Sequence, residues 1–146
     1  MYFEDFKLHD TIEIPPVPIE REAMLTFARK YDNISLHVDE AYAKTTRFGG
    51  LIAPGMFSYL EVWTKVLEAD PYGDELIAGR STGIEWIRPV YPGDTLMSRV
   101  EVTGLTERNE KNGAVELTVF TENQHGELVM TAVTEAVIKR RQPAGA

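Results

Sequence analysis

"PGMFSYLEVWTKVLEAD", residues 54–70, places Met56, Phe57, Tyr59, Leu60, Val62 and Trp63 within little more than two helical turns, leaving almost no polar face. The turn-forming "DPYGD" at 70–74 ends the pattern, so a helix over 54–70 is predicted. A helix that is apolar nearly all round belongs inside something. The candidate enclosure lies downstream. "TLMSRVEVT", 95–103, alternates, with Leu96, Ser98, Val100 and Val102 on one face and Met97, Arg99, Glu101 and Thr103 on the other. "GAVELTVFTENQ" and "ELVMTAVTEAVIK" follow, with "KNG" before the first and "QHG" between them. Glycine accepts positive φ in such hairpin turns. The C-terminal half therefore reads as an antiparallel meander, and its apolar face needs a partner. The fold class that satisfies both demands is α+β, a curved antiparallel sheet wrapped around a central buried helix.

Upstream, a short strand is expected around Thr11 to Ile14, with "IPPVP" at 14–18 separating it from a helix. From Glu20 onward Ala23, Met24, Phe27, Ala28 and Tyr31 recur at helical spacings, and this helix should end near Asp32 and Asn33. Asn33 is suited to the left-handed conformation that terminates helices.

With 146 residues, no internal repeat and no linker-like tract, one domain over 1–146 is expected. A formal net charge of −8 repels polyanions and speaks against nucleic acid as the main partner. The absence of cysteine excludes disulfides and thiolate chemistry. The N-terminus carries three acids and no apolar run of signal length, and no stretch approaches a membrane span, so a cytoplasmic protein without a membrane partner is the expectation. His9, His37 and His125 lack metal-ligand spacing; neither a metal nor a cofactor is expected, and His9 and His125 read as solvated.

Asp32 and His37 stand five positions apart. Continuous helix would rotate them roughly 140° from one another and a strand would put them on opposite faces, so they can meet only across a break. "NIS" at 33–35 supplies residues suited to one. Spacing alone leaves a shared role and an unrelated pair both open.

The order of motifs resembles the MaoC-like dehydratases, which include the (R)-specific enoyl-CoA hydratases and share the hotdog fold. The resemblance rests on Asp32 and His37 with four residues between them, Asp39 two positions on, "FGGLIAPGM" at 48–56, "RPVYPGDTL" at 88–96 and the opening "YFEDF" at 2–6. Where the family usually carries an amide and a proline inside the Asp/His loop, this chain has Ile34 and Ser35.

The resemblance implies a hydro-lyase of fatty acid metabolism that interconverts trans-2-enoyl-CoA and (R)-3-hydroxyacyl-CoA. Asp32 and His37 would activate one water, and the backbone N–H of Gly55, at the positive end of the buried helix, would point at the thioester oxygen. Asn33, Ser35, Pro54, Met56, Phe57 and Arg88 are the expected substrate contacts. The handle would be coenzyme A or acyl carrier protein, with Arg47, Arg88, Lys139, Arg140 and Arg141 as candidate partners for its phosphates. Arg47 or Arg80 could pair with a second carboxylate on the acyl group. A homodimer, or a larger homo-oligomer built from it, is expected. The alternatives are a hotdog thioesterase, which retention of both Asp32 and His37 disfavours, and a non-catalytic acyl-thioester-binding subunit, which Ile34 and Ser35 keep open.

Overall fold

The structure, a computed structural model, describes residues 1–143, so the last three residues of the expected 1–146 domain lie outside the described residues. The strand that alternates most cleanly in sequence, β3 (Thr95–Glu107), buries Leu96, Ser98, Val100 and Val102 on one face, as its period-2 pattern requires. It pairs antiparallel with β4 (Asn112–Glu122), which pairs antiparallel with β5 (Leu128–Lys139), giving the expected meander. Two further strands close the sheet at its margins, β1 (Thr11–Pro18) beside β3 and β2 (Leu76–Trp86) beside β5. The order across the sheet is β1-β3-β4-β5-β2.

Two turn expectations come out differently. The strand β1 does not stop at Ile14 but runs through "IPPVP", with the pairing register shifting between Ile14 and Val17. Proline cannot donate to a ladder, yet β1 is an edge strand, the irregularity absorbs Pro15 and Pro16, and Pro18 is the last residue of the strand. The hairpin before β4 does not turn on Asn112-Gly113, which already belong to the strand. Asn109 makes the turn, its Oδ1 accepting from the N–H groups of Lys111 and Asn112 at 2.8 and 3.0 Å. Gly113 is small for another reason: a Cβ there would collide with the Phe3 ring. The "QHG" turn behaves as read, with Gly126 at φ 74°.

Among the described residues a short 3-10 turn at Phe3–Asp5 and four α-helices join the sheet: α1 (Arg21–Tyr31), α2 (Ser35–Val38), α3 (Glu40–Lys44) and α4 (Gly55–Glu68). The apolar helix α4 lies against β1, β3 and α1, burying Phe57, Tyr59, Val62 and Val66. Each such side chain withdrawn from water contributes roughly 1.5–3 kcal/mol of transfer free energy. Asp70, at φ 51°, turns the chain away after α4. Phe27 of α1 meets Phe57 of α4 with ring centroids 5.5 Å apart, which fixes the end of α1 beside the start of α4. Among the described residues no helix is long and apolar enough to cross a membrane.

One face of α4 stays open. Met56, Leu60 and Leu67 are 43%, 41% and 51% exposed, with Trp63 half-buried between them. Beside this stripe, β2 is exposed at every position except Ile84, although it carries Leu76, Ile77 and Trp86.

Candidate active site

Asp32 is the residue at which α1 ends, in a non-helical conformation (φ −154°, ψ 59°). A helix C-terminus offers a carboxylate no electrostatic help, so helix stability does not explain an acid here. The break falls at Asp32 itself, and Asn33 does not adopt the left-handed conformation expected of it; His9 and Asp70 are the non-glycine residues that do among the described residues. Ile34 is extended (φ −115°, ψ 153°), and a single turn of helix, α2, then carries His37. That short path brings His37 Nε2 to 3.5 Å from Asp32 Oδ2.

The His37 side chain is 9% exposed and its other nitrogen is committed: Nδ1 lies 2.7 Å from the carbonyl oxygen of Ile52. A carbonyl only accepts, so Nδ1 carries a proton and, in the neutral ring, Nε2 presents its lone pair beside the Asp32 carboxylate. Two acceptors this close call for a shared proton or for a water that donates to both.

The glycine-rich segment 48–55 is the strap that makes this possible. Ile52 accepts from His37, Ala53 N–H donates to the Val90 carbonyl at 2.7 Å, and Tyr91 Oη donates to the Phe48 carbonyl at 2.8 Å. The strap is therefore stitched to the acid/imidazole pair on one side and to "RPVY" on the other. Asp39 serves structure: its carboxylate caps α3 by accepting from Tyr42 N–H at 3.1 Å.

Asp32, His37 and Gly55 line one cavity of about 380 Å³, with Met56, Arg88 and Ser58. Arg47 and Arg88, both exposed, belong to its wall and bring positive charge to an otherwise acidic protein. Gly55 begins α4 with no side chain capping it, and a Cβ there would strike the Trp86 indole. Trp86 and Ser58 were not legible as site residues. Trp86 arrives from β2, while Ser58 stands one turn beyond Gly55, a spacing that could have flagged it.

The remaining expected contacts do not line this cavity. Asn33 and Ser35 are exposed beside the Asp/His loop, Pro54 is buried as the residue preceding α4, and Phe57 belongs to the core. Of the expected phosphate partners, Arg140 and Arg141 pair with Glu4 and Asp5 at 2.9 Å each, and Lys139 faces Glu75 at 3.9 Å. Arg80 pairs with Glu135 at 2.8 Å and lines a second cavity, across α4, with Tyr59 and Tyr72. Burial pushes the Tyr72 hydroxyl up to about 12, so it stays protonated there.

A curved antiparallel sheet closed around an apolar helix, with an acid/imidazole pair at that helix's N-terminus, defines a hotdog-fold protein. The family model for the MaoC like domain matches residues 6–124, and the chain belongs to that family. It is 29% identical over 141 residues, 96% of this chain and 100% of the relative, to the uncharacterized protein YdeM of Bacillus subtilis. It is 32% identical over 104 residues, 71% of each chain, to the (R)-specific enoyl-CoA hydratase of Rhodospirillum rubrum. Among solved structures, a monoamine oxidase regulatory protein from Archaeoglobus superimposes with a TM-score of 0.91 at 32% identity, covering 97% of this chain and 96% of that one. A MaoC-like dehydratase from Rhodospirillum rubrum superimposes with a TM-score of 0.88 at 27% identity, covering 98% of this chain and 99% of that one.

Proposed function

We propose that this protein is a hydratase/dehydratase that adds water to trans-2-enoyl thioesters and removes it from (R)-3-hydroxyacyl thioesters. The observation that carries the reading is the pair of acceptors, Asp32 Oδ2 and His37 Nε2, 3.5 Å apart in one cavity with the imidazole tautomer set by Ile52. A water donating to both is oriented with a lone pair free for attack at C3. As its oxygen bonds to C3, one O–H proton passes to the pair, the C2=C3 electrons move toward C2, and negative charge develops on the thioester oxygen. A proton from the pair then reaches C2, and the charge returns to the thioester. Dehydration runs the same steps backwards. The N–H of Gly55, at the positive end of α4, is the donor for the transient oxyanion. The family and the (R)-specific relative support the reaction class and supply its stereochemistry.

The handle of the thioester, coenzyme A or acyl carrier protein, would meet Arg47 and Arg88. Among the described residues Arg47 forms no ion pair, whereas Arg88 Nε stands 3.6 Å from Glu127. A homodimer is part of the reading. The exposed stripe Met56, Leu60, Trp63 and Leu67 and the open edge of β2 lie next to one another, and a second copy extending the sheet at β2 would cover both.

Purified protein mixed with crotonyl-CoA should bleach the conjugated enoyl absorbance. Asp32→Asn and His37→Ala should each lose at least about 100-fold in kcat. Bleaching that persists in both variants would refute the assignment. One observation favours a second reading, a non-catalytic thioester-binding subunit: the Asp/His loop carries exposed Ile34 in place of an amide. Activity appearing only on addition of a second, related chain would establish that alternative.

A further inference from the structure

We propose that Ser58 is a second hydrogen-bond donor to the thioester oxygen, acting beside the N–H of Gly55. The inference rests on the hydratase reading and adds a residue to it. Ser58 is 1% exposed, and its Oγ has no hydrogen-bond partner among the described residues. It lines the cavity that holds Asp32 and His37. A serine inside a helix ordinarily donates to the carbonyl four residues back. Thr64 on the same helix does this, its hydroxyl meeting the Leu60 carbonyl at 2.9 Å. For Ser58 the corresponding carbonyl, that of Pro54, receives the Ser58 backbone N–H at 3.1 Å and not the hydroxyl. A buried hydroxyl left without a partner destabilises a fold, and alanine is the better helix former, so stability does not account for the residue. A ligand in the cavity does.

Which ligand atom it meets follows from what the other groups require. The water held by Asp32 and His37 gives both its protons to acceptors and needs a lone pair for attack, and a hydroxyl donating to that water would weaken the nucleophile. The thioester oxygen gains negative charge and needs donors. Ser58 stands three residues after Gly55 on α4, the spacing that puts two residues on one helix face, and both line the cavity. The rotatable O–H and the fixed N–H thus converge from the same helix end, opposite in function to the two acceptors supplied by α1 and α2.

Three measurements test this on the full chain: steady-state hydration of crotonyl-CoA, thermal melting, and the carbonyl stretch of ¹³C-labelled crotonyl-CoA bound to Asp32→Asn with and without Ser58→Ala. Ser58→Ala should lower kcat about 100-fold with little change in KM. Its Tm should hold or rise by about 2–6 °C, because an unpartnered buried hydroxyl is gone. The bound carbonyl should shift less to low frequency without the hydroxyl, and Ser58→Thr, which restores one, should recover most of the rate. An unchanged kcat in Ser58→Ala, with the wild type active, overturns this inference and leaves the hydratase reading standing. A reduced kcat with the full carbonyl shift retained also overturns it, since the hydroxyl then serves the water. A wild type inactive toward every enoyl thioester overturns both.

Discussion

Gly55→Ala separates what the fold needs at the start of α4 from what the chemistry needs. A Cβ there would lie 2.5 Å from Trp86 Nε1 and 2.7 Å from Trp86 Cδ2, where ordinary contact begins at 3.4 Å. The indole must therefore retreat by about 1 Å, and with Trp86 48% exposed it has room to do so. An off-rotamer shift of that kind costs about 0.5–1.5 kcal/mol. Replacing glycine by alanine in a helix returns up to ~1 kcal/mol. Folding stability should accordingly change by less than about 1 kcal/mol, a Tm shift within about 2–4 °C for a chain of this size. Activity should fall far more, because the methyl and the displaced indole intrude on the donor meant for the thioester oxygen; loss of one such donor costs about 10²–10³-fold in kcat. The assay is kcat/KM on crotonyl-CoA beside a thermal melt, repeated with Trp86→Leu, which relieves the collision. A Gly55→Ala variant with kcat/KM within about threefold of wild type would refute the oxyanion assignment. Rescue by Trp86→Leu would show that the glycine serves the indole and not the ligand.

Ser35 opens α2 after an extended Ile34, the conformation a residue before proline prefers; Ser35→Pro should stabilise the protein by about 0.4–1 kcal/mol in chemical denaturation while hydration activity is retained. Arg47→Ala should raise KM for the CoA thioester about 2- to 5-fold, with kcat unchanged and with a weaker salt dependence of kcat/KM than wild type. Glu4 is held below the ordinary carboxylate range by the Arg141 backbone N–H and the Arg140 guanidinium, and Asp5 by the Tyr2 N–H and Arg141. Because both are depressed in the folded state, their contribution is complete above the unfolded values and disappears as pH falls below about 4, so Arg141→Ala, which takes the guanidinium from Asp5 and keeps the backbone N–H to Glu4, should flatten part of the acid limb of a stability-against-pH curve. Leu60→Glu, in the uncovered stripe of α4, should give a monomer by light scattering after size exclusion; an unchanged dimer would remove α4 from the interface.

The sheet and the buried helix were readable because their patterns are local: residues 95–103 alternate with period 2, and residues 56–63 leave almost no polar face over two helical turns, so each fixes its own geometry and what it must face. Where the reading failed, a distant contact decided. Proline in "IPPVP" argued against a strand until β1 was found at an edge, and Gly113 looked like a turn residue until the Phe3 ring was found on it. The Asp32/His37 pair could be named from motif order, yet nothing in a five-residue spacing says that the two side chains meet. That depends on Phe27 packing against Phe57 and on the Ile52 carbonyl, fifteen residues beyond His37, taking the Nδ1 proton. The remaining wall of the cavity, Trp86 from the far edge strand and Ser58 from inside the helix, is likewise a product of packing. Local propensity determined the meander and the helices α1 and α4, and the tertiary structure alone decided which polar groups are left facing the same cavity, because a hydrogen bond is spent or free only once every neighbour is in place.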